Sequence, residues 1–102
     1  RVHIFDGVSI RAGVKVPFRE NAHPWIHTFH AGWRINCDNF RSTETMRAVA
    51  KDAVQALHLE FGAVDVGERQ DGSYLVLEVN RSPGIENENT MKTYARTIRG
   101  WA

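Results

Sequence analysis

Alternating apolar and polar residues along this chain predict β-strands in its first part and in its middle. Val2 to Phe5 and Val8 to Phe18 are predicted as two strands joined around Asp6-Gly7, and alternating residues also flank Asp71-Gly72 on both sides. An Asp-Gly pair favours a two-residue hairpin loop, because both central residues of that loop need a positive φ. The pattern therefore predicts two β-hairpins.

Apolar residues recur at helical spacing in two other segments. Ser42 is the predicted N-cap of the first helix, whose apolar face comprises Met46, Val49, Ala50, Ala53, Val54 and Leu57. The second helix is predicted to be capped by Asn89 or Thr90 and to end at Gly100, with a buried stripe of Met91, Tyr94, Ala95 and Ile98. Together these elements predict an α+β fold, in which two helices pack on one face of an antiparallel sheet.

Residues 19–41 are mostly polar and carry three of the five histidines. They are predicted as a long loop with a short strand at Trp33 to Asn36. Since long loops in compact domains are often functional, we expect substrate contacts there.

The hairpin around Asp71-Gly72 carries the candidate metal-binding residues. A two-residue loop places Asp65 opposite Glu78, with Asn80 on the same face of the second strand. Opposed carboxylates destabilise a sheet unless a cation lies between them, and oxygen ligands suit Mg²⁺ or Mn²⁺. Two alternatives remain: both carboxylates point into solvent, or a bulge at Gly67 separates them.

The same residues resemble the metal-binding signature of the ATP-grasp superfamily. In that signature an acidic residue on one strand precedes Glu-x-Asn on the next, and Pro-Gly follows; here these are Asp65, Glu78-Val79-Asn80 and Pro83-Gly84. The tail of the motif is most similar to glutamate-ligase-type carboxylate–amine ligases, including phage-encoded ones. The resemblance implies a C-terminal ATP-grasp subdomain. Residues 1–102 are therefore expected to form one domain, the C-terminal part of a longer ATP-grasp domain whose nucleotide-binding half precedes Arg1.

The resemblance also implies ligands and site residues. It implies ATP with Mg²⁺ (or Mn²⁺), and an amino-acid or peptide substrate that reacts through an acylphosphate without a nucleophile from the protein. The implied metal ligands are Asp65, Glu78 and Asn80. The implied nucleotide contacts are Lys15, Arg1 and His27, and the implied substrate contacts are Asn89, Thr90 and Trp33.

The chain departs from the family pattern at a few positions. His27-Thr28 stands where related proteins often carry Arg-Asn, and Ala63 stands where D-alanine ligases carry an arginine for their substrate. The second departure argues against that substrate. The first favours the alternative function, a non-catalytic structural or binding domain that retains the fold.

Composition limits the classes of partner. The chain has 102 residues and a net charge of +1, and its basic residues are dispersed, so we expect no nucleic-acid partner. It has no apolar run long enough to span a membrane, so we expect no membrane partner. A single cysteine, Cys37, fits a reducing compartment and predicts a cytoplasmic protein.

Overall fold

A computed structural model of the chain describes residues 1–85 and 88–101. Its elements are β1 (Val2–Phe5), β2 (Val8–Ala12), β3 (Val14–Pro17), β4 (Trp33–Asn36), α1 (Glu44–Ala56), β5 (Phe61–Glu68), β6 (Tyr74–Asn80) and α2 (Glu88–Trp101). The strands form a four-stranded antiparallel sheet in the order β2-β1-β5-β6 and a two-stranded antiparallel sheet of β3 and β4. The predicted α+β class is confirmed. None of the described helices is long and apolar enough to cross a membrane.

The first hairpin has the predicted two-residue loop, but the strand after it is shorter than predicted. Asp6 and Gly7 have φ values of 49° and 76°, and Phe5 pairs with Val8. The predicted strand from Val8 to Phe18 divides at Gly13, after which β3 leaves the main sheet and pairs with β4. A Cβ at Gly13 would lie 2.6 Å from the side chain of Ile35, so only glycine permits this close passage.

The central hairpin has a three-residue loop, and the prediction of two residues was wrong. The N–H of Gly72 donates to the carbonyl of Arg69 (3.0 Å), and the N–H of Arg69 donates to the carbonyl of Ser73 (2.8 Å). Gly72 has a positive φ of 85° whereas Asp71 does not, which is typical of a type I turn followed by a left-handed glycine.

A bulge on β6 reverses the one-residue shift that this longer loop introduces. Val66 pairs with Val76, but the next pair along the strands is Asp65 with Glu78, so Leu77 is the extra residue. The predicted pairing of Asp65 with Glu78 is therefore confirmed. The alternative bulge at Gly67 is not present, because Gly67 pairs regularly with Leu75.

The two helices lie on opposite faces of the main sheet, and the prediction of one shared face was wrong. Val2, Ile4 and Val64 form the core with Ala50 and Val54 of α1. His3 points to the other face, since side chains alternate along a strand. It contacts Tyr94 of α2 there. All four residues of β1 are buried, because this strand is covered on both sides.

The helix ends differ from the predictions by about a residue. Thr43, not Ser42, is the N-cap of α1, and its Oγ1 accepts from the N–H of Met46 (3.1 Å). Leu57 was predicted on the apolar face, but it is the C-cap, one residue beyond the end of α1, and it is exposed. In α2, Asn89 and Thr90 lie in the first turn rather than before it.

The buried face of α2 is also not the predicted stripe. Thr90 and Tyr94 are buried, whereas Met91, Ala95 and Ile98 are exposed. The helix packs on a partly polar sheet face that offers hydrogen-bond partners, and this explains why a threonine and a tyrosine face inward.

Candidate functional site

A cavity of about 490 Å³ lies on the face of the main sheet opposite α1. It brings together seven of the nine predicted site residues and leaves out Asn80 and Asn89. Its walls come from both sheets, from the loop before β4 and from the start of α2. The lining residues are Arg1, His3, Lys15, His27, Thr28, Phe29, Trp33, Arg34, Ile35, Cys37, Asp65, Glu78, Gly84 and Thr90.

The buried carboxylate of Asp65 is the most strongly engaged group in this cavity. Arg1 donates to it twice, from Nε to Oδ1 (2.9 Å) and from Nη2 to Oδ2 (3.3 Å). Lys15 donates from Nζ to Oδ2 (2.9 Å). Burial by itself raises the pKa of Asp65, but the hydrogen bonds from Arg1 and Lys15 outweigh it and hold the pKa below its usual range. Asp65 is therefore ionised at neutral pH.

Glu78 and Asn80 lie on the same sheet face as Asp65. Glu78 is exposed and directly opposite Asp65, whereas Asn80 is opposite Ala63. The Asn80 Oδ1 accepts from the N–H of Ser82 (2.9 Å), which fixes the direction of the amide at the strand end. All three predicted metal ligands thus lie on one face of a single hairpin.

The donor atoms of this trio fit a hard divalent ion in chemical type. Among the described residues, no group of three or more His, Cys, Asp or Glu side chains is arranged to bind a metal. The predicted set instead combines two carboxylates with an amide. A carboxylate offers about four acceptor positions, and Arg1 and Lys15 occupy three of those on Asp65. An ion would therefore share Asp65 with these two cations.

A flat aromatic pair forms another wall. The rings of His27 and Trp33 stack with their centroids 3.7 Å apart and their planes at 22°. Trp33 Nε1 donates to the carbonyl of His23 (2.8 Å), and His27 Nε2 lies 3.1 Å from the carbonyl of Pro24. These contacts hold the loop of residues 23–33 against the cavity.

A buried histidine–tyrosine pair adjoins the cavity; the burial of Tyr94 was predicted, but its contact with His3 was not. The Nδ1 of His3 is 2.6 Å from the hydroxyl of Tyr94. Burial, followed by the nearby charge of Arg1, lowers the pKa of His3 to about 4. Burial raises the pKa of Tyr94 to about 12. Both side chains are therefore neutral at physiological pH, and they hold α2 to β1. A polar residue inside the apolar run Val2–Phe5 was the available signal.

The two predicted substrate residues of α2 belong to different cavities. Thr90 is buried at the main cavity, where its Oγ1 accepts from Arg11 Nε (2.7 Å). Asn89 faces a neighbouring cavity of about 340 Å³, which we call the arginine cavity; it is lined by Arg11, Arg34, Ile35, Asn36, Cys37, Asp38 and Asn89. Sequence reasoning missed Arg11 and Arg34, because only the folding of β2 and β4 toward α2 brings them together.

Comparison of the chain with protein-family models, curated proteins and solved structures gives no match.

Proposed function

We propose that this chain is the metal- and phosphate-binding part of an ATP-dependent carboxylate–amine ligase, similar to the C-terminal subdomain of ATP-grasp enzymes. One observation carries the proposal: Asp65 faces Glu78 across a hairpin while Arg1 and Lys15 bind Asp65 in the same cavity. Positively and negatively charged side chains placed close together suit a ligand that contains both a divalent cation and phosphate groups.

Arg1 and Lys15 are the proposed phosphate contacts. Arginine presents planar N–H donors that match phosphate oxygens, and lysine supplies a compact charge. Asp65 holds both cations in place before a ligand arrives, so little side-chain freedom is lost on binding. His27 and Trp33 supply a flat wall beside them.

Asp65, Glu78 and Asn80 are the residues that would hold Mg²⁺ or Mn²⁺. Such an ion neutralises charge on phosphate oxygens during phosphoryl transfer. The hairpin fixes the backbone of all three residues, and the Asn80–Ser82 hydrogen bond fixes the strand end.

The proposed reaction needs no nucleophile from the protein. The substrate carboxylate takes the γ-phosphoryl group of ATP, which leaves ADP. The amine then attacks the acylphosphate, forms the amide and releases phosphate. Since catalysis of phosphoryl transfer consists mostly of positioning and charge stabilisation, the cavity has the required kind of residue. An amino acid or peptide is the proposed substrate, and the adenine contacts would come from a nucleotide-binding half that precedes this part. We also propose a cytoplasmic location, where ATP is available.

A structural or binding domain without catalytic activity is the second candidate. The ion pairs that Asp65 forms with both Arg1 and Lys15 favour it, because a buried carboxylate held by two cations can serve structure alone. His27-Thr28, in place of Arg-Asn, favours it as well.

Calorimetric titration with Mn²⁺ in the presence of pyrophosphate separates the two candidates. We expect the chain to bind Mn²⁺ and pyrophosphate together, and Glu78→Gln to weaken this binding about tenfold or more, because a charged ligand is lost. Glu60→Gln removes an exposed carboxylate that does not line the cavity, and it serves as the matched control. Equal affinity in Glu78→Gln, or no binding by the wild type, would contradict the proposed metal site and favour the non-catalytic domain.

A further inference from the structure

We propose that the arginine cavity binds a free α-amino acid, with its carboxylate at Arg11 and Arg34 and its ammonium group at Asp38. This inference rests on the proposed function, since it names the amino-acid substrate. The arginine cavity lies between β2, β4 and the start of α2, beside the main cavity rather than inside it.

Two guanidinium groups with spare donors line the arginine cavity. Arg11 uses its Nε to bind Thr90, which orients the side chain and leaves the terminal nitrogens for a ligand. Within the described residues, neither Arg11 nor Arg34 forms an ion pair with a carboxylate. A carboxylate is the planar anion that such donors bind best in pairs.

Asp38 gives the cavity its selectivity. It lies in the turn after β4, where its N–H donates to Asn36 Oδ1 (2.8 Å). A phosphate dianion in this cavity would face the negative charge of Asp38. An α-amino acid at neutral pH has one negative and one positive group, so it can satisfy the arginines and the aspartate together.

The position of the arginine cavity suits a substrate of the main cavity. The two cavities are neighbours, because both are lined by Arg34, Ile35 and Cys37. Arg11 pairs with His3, and His3 pairs with Ala63, two residues before Asp65. Strand geometry places Arg11 about 10 Å across the sheet and about 7 Å along it from Asp65. An amino acid anchored at the arginines therefore lies close to the proposed phosphate site.

NMR titrations with L-alanine, N-acetyl-L-alanine and L-alaninamide test each contact. We expect wild-type protein to bind L-alanine more tightly than either derivative. Arg34→Gln should weaken L-alanine binding about tenfold or more. Asp38→Asn should weaken L-alanine by a similar factor, but not N-acetyl-L-alanine, which has no ammonium group. Arg99→Gln, an exposed arginine near the end of α2, should match the wild type.

Several results would overturn the proposal. These are absence of L-alanine binding, equal L-alanine affinity in wild type and Arg34→Gln, and tighter binding of inorganic phosphate than of L-alanine at the same residues. The wild-type titration with Mn²⁺ and pyrophosphate uses no amino acid. Its failure would remove the proposed ligase function, whereas failure of the alanine titration alone would remove only this substrate site.

Discussion

Lys15 and Asp65 are joined by a 2.9 Å hydrogen bond between Nζ and Oδ2, across 50 residues of sequence. Lys15 belongs to β3 of the two-stranded sheet, and Asp65 belongs to β5 of the main sheet. Their side chains are 25% and 7% exposed, so the pair is partly shielded from solvent. The bond therefore ties the second sheet to the first at the main cavity.

Lys15→Met should destabilise the protein by about 1 kcal/mol. Loss of one partner leaves Asp65 with Arg1 alone, and the remaining bidentate contact limits the cost. Lys92→Met is the matched control, since its exposed pair with Glu88 is worth about 0.3 kcal/mol. Urea unfolding at pH 7 measures both. Equal effects of the two substitutions would mean that the Lys15–Asp65 pair is no stronger than a surface pair.

The buried His3 predicts a loss of stability as the pH falls from about 6.5 to about 4. Its folded pKa of about 4 is below the usual 6.5, so the unfolded chain binds the proton first. The contribution of neutral His3 to the free energy of unfolding is fully present above pH 6.5. Below pH 6.5 it is lost at up to about 1.4 kcal/mol per pH unit. In His3→Gln this slope should be absent, whereas exposed His30→Gln should keep it. Urea unfolding between pH 4 and 7.5 tests the sign, and an unchanged slope in His3→Gln would contradict it.

Asp65 predicts a second transition at lower pH. The pKa of Asp65 in the folded protein is below the usual 3.8. Its contribution to the free energy of unfolding is therefore present above pH 3.8 and is lost as the pH falls through the folded pKa. Asp65→Asn should cost about 3 kcal/mol at pH 7, since it leaves two cations without their partner. The difference from wild type should shrink below pH 4. A difference that stays constant down to pH 2, measured by thermal unfolding, would contradict the depressed pKa.

Two glycine substitutions should change stability in opposite directions. Apart from its neighbours in the chain and the backbone of its own helix, no described residue lies within 4 Å of a Cβ built on Gly72 or Gly100, so we expect backbone conformation to decide the outcome. Gly72→Ala should destabilise by about 1 kcal/mol because φ is 85° there. Gly100→Ala lies in α2 and should stabilise by about 0.5 kcal/mol, as alanine favours helices. Melting temperatures of both variants test this, and the same sign for both would contradict it.

Local patterns predicted much of the fold. The Asp6-Gly7 loop, the short strand Trp33–Asn36 and the pairing of Asp65 with Glu78 are confirmed. That pairing was predicted from a wrong loop length, and the bulge at Leu77 restored it. A bulge leaves little trace in an alternating sequence. The alternation therefore could not show that the loop has three residues instead of two, or that a bulge at Leu77 compensates for the extra one.

Tertiary contacts decided what the sequence could not predict. Periodicity places apolar residues on one side of α2, but the helix packs on a sheet face that carries His3 and Arg11. Hydrogen bonds to Thr90 and Tyr94 therefore fixed its rotation. The ion pairs of Asp65 likewise depend on strands far apart in sequence, and no spacing rule predicts them.

The bulge at Leu77 has a consequence for the behaviour of many copies in solution. Strand β6 is at the edge of the main sheet and exposes Val76 and Leu77. A straight apolar edge is a template on which strands of other molecules add and aggregate. The extra residue bends the strand and interrupts its regular ladder. We therefore expect the irregularity that keeps Glu78 opposite Asp65 also to disfavour self-association at this edge.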